Sequence, residues 1–270
     1  MPLTRILEAA ARYDKVNPMF IDSHAHYNAG AFAQDRDDIL ASLPAAGVDA
    51  VVNIGDSLPA SEICLRLSEQ YPFLYAAVGV HPENAAEITE EGLCRLEKLA
   101  GYEKAVAIGE IGLDYYYDDV PRDIQRFAFR EQLKLAKKLQ MPVVIHDRDA
   151  HGDCLQILKE EGITNGVMHC FSGSVEFMRE VVRLGLYVAL GGVVTYKNAR
   201  HTVDVAREVP LDKLLLETDC PYLSPVPHRG KRNSSLYLPH TAEKIAEIRG
   251  TDVETVAAAT AENTRRLFGI

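Results

Sequence analysis

The chain has 270 residues, 47% of them hydrophobic and 25% charged, which suits one large domain or two small ones with an ample core. Its 29 lysines and arginines stand against 39 aspartates and glutamates, a formal net charge of −10. That excludes a general duplex-coating role and confines any nucleic-acid contact to a local basic patch.

No apolar run approaches the roughly 18 residues of a membrane span, and no signal-peptide core opens the chain. No membrane partner is therefore expected. Leu3, Ile6, Leu7 and Ala10 predict a short amphipathic leader helix within residues 1–18, ahead of a single domain at 19–270. The first strand follows within Met19–Asn28 (MFIDSHAHYN) and ends in His24-Ala-His26. In a strand, residues two apart share a face, so Asp22, His24 and His26 point the same way. Two imidazoles on one strand end make half of a metal site, the bland alternative being two surface histidines.

The spacing then predicts a helix over Asp37–Ala46, a strand over Val48–Ile54, a helix over Leu58–Gln70 and a strand over Phe73–Val80, ending at His81-Pro82. Thr89–Ala100 reads as a helix, Lys104–Glu110 as the fourth strand, and Pro121–Gln140 as the longest helix. Met141–His146, Gly166–Cys170, Leu186–Leu190 and Lys213–Glu217 are the remaining strands. Between them lie helices at Asp149–Glu161, Val175–Leu184 and Ala199–Glu208, and the tail adds Pro239–Arg249 and Val253–Phe268. Eight apolar runs alternating with helices predict an α/β fold closed into a (β/α)8 TIM barrel, with a doubly wound open sheet as the alternative. No glycine-rich phosphate-binding fingerprint follows any strand.

In a barrel the C-terminal strand ends face the active-site mouth. The polar residues there are His24, His26, His81, Glu110, His146 and His169, with Asp219 just past the eighth strand. Strand parity puts Val106 and Ile108 beneath Glu110, Val144 beneath His146 and Val167 beneath His169. Burying this many polar groups in one mouth without a cation is costly. Four imidazoles and two carboxylates suit two divalent ions, which in such sites sit about 3.5–4 Å apart. Glu110 is the expected bridge, His24, His26 and Asp219 completing one ion and His146 with His169 the other. Imidazoles favour Zn or Mn and carboxylates suit Mg, so the ion's identity stays open.

The motifs DSHAH (Asp22–His26), GVHP (Gly79–Pro82), GEIGLDYYYD (Gly109–Asp118), HDRDA (His146–Ala150), HCFSGS (His169–Ser174), ETDCPYL (Glu217–Leu223) and RGKRN (Arg229–Asn233) occur in this order. Together they resemble the TatD family of metal-dependent deoxyribonucleases, within the amidohydrolase-like barrels. The resemblance implies two divalent ions and hydrolysis of DNA phosphodiester bonds, from ends, on single strands or 3′ ends. It implies metal ligation by His24, His26, Glu110, His146, His169 and Asp219, and a phosphate contact from His81. Family members commonly continue RGKRN with Glu-Pro, whereas this chain has Ser234-Ser235, which bears on the support of Arg229 and on the loop's shape.

Asp219 is best placed as general base on the attacking water, with a pure ligand role as the close alternative. Glu217 and Asp22 are expected to support the ligands by hydrogen bonds. Arg148 could meet a phosphate or pair with Asp147 or Asp149. Arg229, Lys231 and Arg232 form the dense basic group, either a phosphate contact or a solvated loop. Tyr115, Tyr116 and Tyr117 could stack on a base or pack on a helix. Against the nuclease stand an amidohydrolase acting on a small ester, lactone or amide, and a silent metal- or nucleic-acid-binding protein. Five cysteines (Cys64, Cys94, Cys154, Cys170, Cys220), without a C-x-x-C pair, favour free thiols in a reducing compartment, so a cytoplasmic protein is expected. The sequence carries no indication of oligomeric state.

Overall fold

A computed structural model describes residues 19–117 and 119–270. The expected leader helix lies outside the described residues. Eight strands form one parallel sheet in chain order: β1 (Phe20–Ala25), β2 (Val48–Ile54), β3 (Leu74–Val78), β4 (Ala105–Asp114), β5 (Val143–Arg148), β6 (Gly166–Met168), β7 (Tyr187–Leu190) and β8 (Leu214–Leu216). Between β1 and β8 the described residues form an isolated parallel bridge, Ala25 with Cys220, in place of a ladder. The His26 amide donates to Cys220 O at 2.8 Å and the Asp219 amide to His24 O at 2.9 Å. Sequential order and this seam define a nearly closed (β/α)8 barrel and set aside the open-sheet alternative.

The helices are α1 (Arg36–Ser42), α2 (Leu58–Gln70), α3 (Glu90–Ala100), α4 (Arg122–Leu139), α5 (His151–Glu161), α6 (Val175–Arg183), α7 (Arg200–Glu208), α8 (Leu238–Arg249) and α9 (Val253–Phe268). Side-chain oxygens of Ser57, Thr89, Ser174 and Asp252 accept amides in the first turns of α2, α3, α6 and α9, satisfying donors a helix start leaves open. The helix expected over Asp37–Ala46 is shorter than predicted. It ends at Ser42 and Pro44 starts a separate 3-10 turn, since proline cannot donate the amide a continuing helix needs. Pro121 sits at the N-cap of α4, one residue before the first turn.

Two apolar layers lie on either side of the sheet. Val52, Ile54, Ala77, Ala107, Val144, Val167, Ala189 and Leu215 fill the barrel, closed from below by Leu267 and Phe268 of α9. Alternate strand residues such as Val78, Ile145, Met168 and Leu216 pack outward on the helices. Val144 and Val167 lie inside, as the parity beneath His146 and His169 predicts.

Strand β4 departs from its prediction. It runs on to Asp114, and its pairing with β5 slips between Ile108 and Ile111. The slip changes parity, so Ile108 packs in the outer layer and Ala107, not Ile108, lies in the interior below Glu110. Gly109 makes the irregularity possible, because a Cβ there would stand 2.5 Å from the Cβ of Val144.

Among the described residues no helix is long and apolar enough to cross a membrane. All five cysteines are free thiols.

Candidate metal centre

His24 and His26 leave β1 with their Nε2 atoms 3.0 Å apart. Oδ1 of Asp219 lies 3.7 Å from the first and 3.4 Å from the second. Oε2 of Glu110 faces the same pair at 3.4 and 3.6 Å. The other Glu110 oxygen, Oε1, lies 2.8 Å from both His146 Nδ1 and His169 Nε2, and 3.7 Å from His81 Nε2. The His24 and His169 rings stack with centroids 3.9 Å apart. The five strand-end histidines singled out in the sequence therefore converge on one buried carboxylate, Glu110, and Asp219 joins them through His24 and His26.

Potential ligand atoms gather into three groups, each within 4.8 Å: His24, His26 and Asp219; His24, Glu110 and His169; His81, Asp114 and His146. The first is the grouping expected from the sequence. The second and third cut across the expected His146–His169 pairing, although those two rings approach to 3.3 Å, Nδ1 to Nε2.

Asp114 was missed because β4 was expected to end at Glu110. Its Oδ2 lies 3.1 Å from His146 Nε2, and its Oδ1 accepts the amides of Tyr116 and Tyr117 at 2.9 and 3.3 Å. Positions 110 and 114, an even number apart in GEIGLD, were the available signal. Two buried glutamines of α4 hold the strand ends. Gln125 accepts the Asp114 amide and donates to the Asp114 carbonyl, both at 2.9 Å. Gln132 does the same for Val80, just before His81, at 2.8 and 3.0 Å.

The electrostatics calls for positive charge between these groups. Burial would raise the Glu110 carboxyl, but His169, His146 and His24 outweigh it and hold it well below the usual range. Burial likewise opposes ionisation of Asp219, and His26 and its neighbours overcome it. Burial would depress His26 and His146 too. The carboxylates of Asp219 and Glu110 instead lift His26 to about 9, and Asp114 and Glu110 lift His146 to about 10. His24, buried and facing His169, falls to about 4. Protons on His26 and His146 thus offset clustered carboxylate charge in a place a divalent cation could take, and metal binding displaces such protons. The donor set of imidazole nitrogens and carboxylate oxygens fits Zn, Mn or Mg.

His81 is half-buried, and desolvation and then His146 push its ring down to about 3. Its Nδ1 accepts the Glu83 amide at 3.2 Å, so a neutral ring carries its proton on Nε2, the atom that faces Glu110. Glu217 is fully buried and accepts the Cys170 amide at 2.6 Å, orienting the residue next to His169. Burial and then Asp219 push its carboxyl well up.

Asp22 does not orient an imidazole as expected. Its Oδ1 accepts the amides of His24 and Thr218 at 3.3 and 2.9 Å, and its Oδ2 accepts the hydroxyls of Thr218 and Ser235 at 2.6 Å each. It braces the backbone across the seam, and the His24 Nδ1 atom has no hydrogen-bond partner among the described residues. Ser235 thereby has a use of its own: it joins Asp22 to the buried Tyr27 hydroxyl, which donates to it at 2.8 Å.

The cationic residues divide. Arg229 lies over the Tyr196 ring at 4.4 Å. Arg232 is committed to Asp35 through two hydrogen bonds of 2.9 and 2.6 Å. Asp147 pairs with His151 at 2.9 Å, and the Arg148 guanidinium rests on Tyr116, 3.8 Å from the ring centre. Tyr115 packs as the duller expectation had it, hydrogen-bonded to Asp153 at 2.6 Å with Arg122 on its face.

A parallel barrel with imidazoles and carboxylates gathered at its C-terminal mouth is the architecture of a metal-dependent hydrolase. A family model described as TatD related DNase matches residues 21–269, and the chain belongs to that family. It is 45% identical over 93% of its length to the whole of the uncharacterized metal-dependent hydrolase YabD of Bacillus subtilis. It is 37% identical to the 3′-5′ ssDNA/RNA exonuclease TatD of Citrobacter rodentium, covering 92% of this chain and 97% of that protein. The solved structure of YjjV, a TatD homologue from Escherichia coli, superposes with a TM-score of 0.88 at 34% identity, over 93% of this chain and 98% of that one.

Proposed function

We propose that this hydrolase cleaves phosphodiester bonds of DNA from the ends of single strands, with two divalent ions. The observation that carries the reading is the division of Glu110. One carboxylate oxygen faces His24 and His26, the other His146 and His169. A carboxylate so placed suits a bridge, with His24, His26 and Asp219 holding one ion and His146 with His169 the other. The name of the Citrobacter relative, an exonuclease on single-stranded DNA and RNA, supports the choice of substrate and a 3′ start.

Bound divalent ions supply Lewis acidity, lowering the pKa of the attacking water and offsetting charge on the phosphoryl oxygens. Asp219 accepts the water's proton at a carboxylate oxygen, the water oxygen bonds to phosphorus, and the bond from phosphorus to the leaving deoxyribose oxygen breaks, that oxygen taking a proton from solvent. His81 donates its Nε2 proton in a hydrogen bond to a phosphoryl oxygen. Arg148 and Arg229 contact backbone phosphates, their guanidinium groups steadied on tyrosine rings.

The test is digestion of end-labelled single- and double-stranded DNA by metal-stripped protein reloaded with Mg, Mn or Zn. Stepwise shortening of single strands, abolished by EDTA and restored by metal, is expected. Rapid turnover of a small ester, lactone or amide with no cleavage of DNA would sink the nuclease reading. No turnover of any substrate with any metal would leave a binding protein.

A further inference from the structure

Two tyrosine rings beside the candidate metal centre serve the reading above only as a rest for Arg148. Tyr116 and Tyr117 are 57% and 42% exposed, whereas their neighbour Tyr115 has its hydroxyl engaged by Asp153 and Arg126. Ordinary loops seldom present two large rings side by side to water. The rings meet edge to face at 89°, centroids 4.9 Å apart, and so form a right-angled corner.

The corner is rigidly tied to the chemistry. Asp114 Oδ1 accepts both tyrosine amides, while its Oδ2 faces His146 Nε2. Gln125 clamps the Asp114 backbone on both its polar atoms. Arg148, two residues past His146 on β5, spreads its guanidinium 3.8 Å from the Tyr116 centroid and 5.0 Å from that of Tyr117. No carboxylate of the described residues forms an ion pair with it, so its charge remains available to an anion.

We infer that Tyr116 and Tyr117 form a stacking shelf for an unpaired base of the bound strand, with Arg148 beside them to meet that nucleotide's phosphate. This rests on the nuclease reading and adds how the strand is chosen. Every base offers a π-face, so a ring corner holds any unpaired base and rejects one still stacked in a duplex. The shelf therefore selects single strands without reading sequence.

The test compares wild-type protein, the double variant Tyr116→Leu/Tyr117→Leu and the double variant Tyr116→Phe/Tyr117→Phe, each loaded with Mn. The probes are two labelled single strands with phosphorothioate links that resist hydrolysis, one with normal bases and one with base-free tetrahydrofuran residues at its last three positions. Stacking of this kind corresponds to about tenfold or more in affinity. Wild type should bind the normal strand about tenfold more tightly than the base-free one. The leucine variant should lose that preference and bind the base-free strand as wild type does. The phenylalanine variant should retain it. Equal binding of the two strands by wild type, equal weakening of both in the leucine variant, or no binding at all overturns the shelf. With ordinary phosphodiester strands, base-dependent binding but no hydrolysis would instead sink the nuclease reading alone.

Discussion

Asp219 holds a left-handed backbone conformation, φ 56°, which is uncommon outside glycine and best tolerated by asparagine and aspartate. Its amide is fixed to His24 O and its carbonyl accepts the Tyr222 amide at 2.9 Å, so the carboxylate is aimed from a turn pinned on both sides. Asp219→Asn keeps size and removes the proton acceptor. Turnover should fall by about 10²–10⁴-fold with strand affinity little changed. Near wild-type kcat would take Asp219 out of the chemistry, and loss of bound metal would favour its role as a ligand. Glu110→Gln tests the bridge. Two nearby cations repel, and the anionic charge between them offsets much of that repulsion. Metal analysis after dialysis should find both ions depleted in Glu110→Gln and mainly one in His146→Ala, with circular dichroism confirming folded protein. Equal single-ion losses would end the bridged pair.

At the scale of elements, β4 and α4 divide what could and could not be read from sequence. The alternation of KAVAIGE marks a strand, but the slip at Gly109 hides both its length and its inward face. Asp114 fell outside the site for that reason alone. The 3.6-residue period of α4 is plain, and Gln125 and Gln132 lie on its buried stripe seven residues apart. What a glutamine on a buried stripe bonds to is a matter of tertiary contact, and no local pattern reveals it. Gln125→Leu fills the same space and leaves the Asp114 amide and carbonyl without their partner. It should lose about 1–3 kcal/mol in urea unfolding. Unchanged stability would mean that water takes over both bonds.

Across the whole molecule, eight apolar runs with polar residues at their C-terminal ends were enough to give the barrel and to gather His24, His26, His81, Glu110, His146, His169 and Asp219. The sequence could not reveal how the first strand meets the last, because that contact joins residues almost two hundred positions apart. Asp22, Thr218 and Ser235 brace it, and neither the Asp22–Thr218 contact nor the Ser235 hydroxyl has a local signature.

That seam has a consequence for motion. β1 and β8 share no ladder among the described residues, and they meet where His24 and His26 on one side face Asp219 on the other. A cation gripping both sides would latch the cylinder shut, and a ligand that binds only the shut form suppresses opening in proportion to its saturation. The amides of His26 and Asp219, which donate across the join, should then exchange with deuterium about 100-fold more slowly at metal concentrations near 100 times Kd. Exchange in α2, which packs against β3 away from the join, should change far less. Identical exchange at His26 and Asp219 with and without metal would show that no ion spans the join. The stretch of barrel least secured by its own backbone is then the one secured by its cargo, and metal starvation would loosen the cylinder first at its mouth.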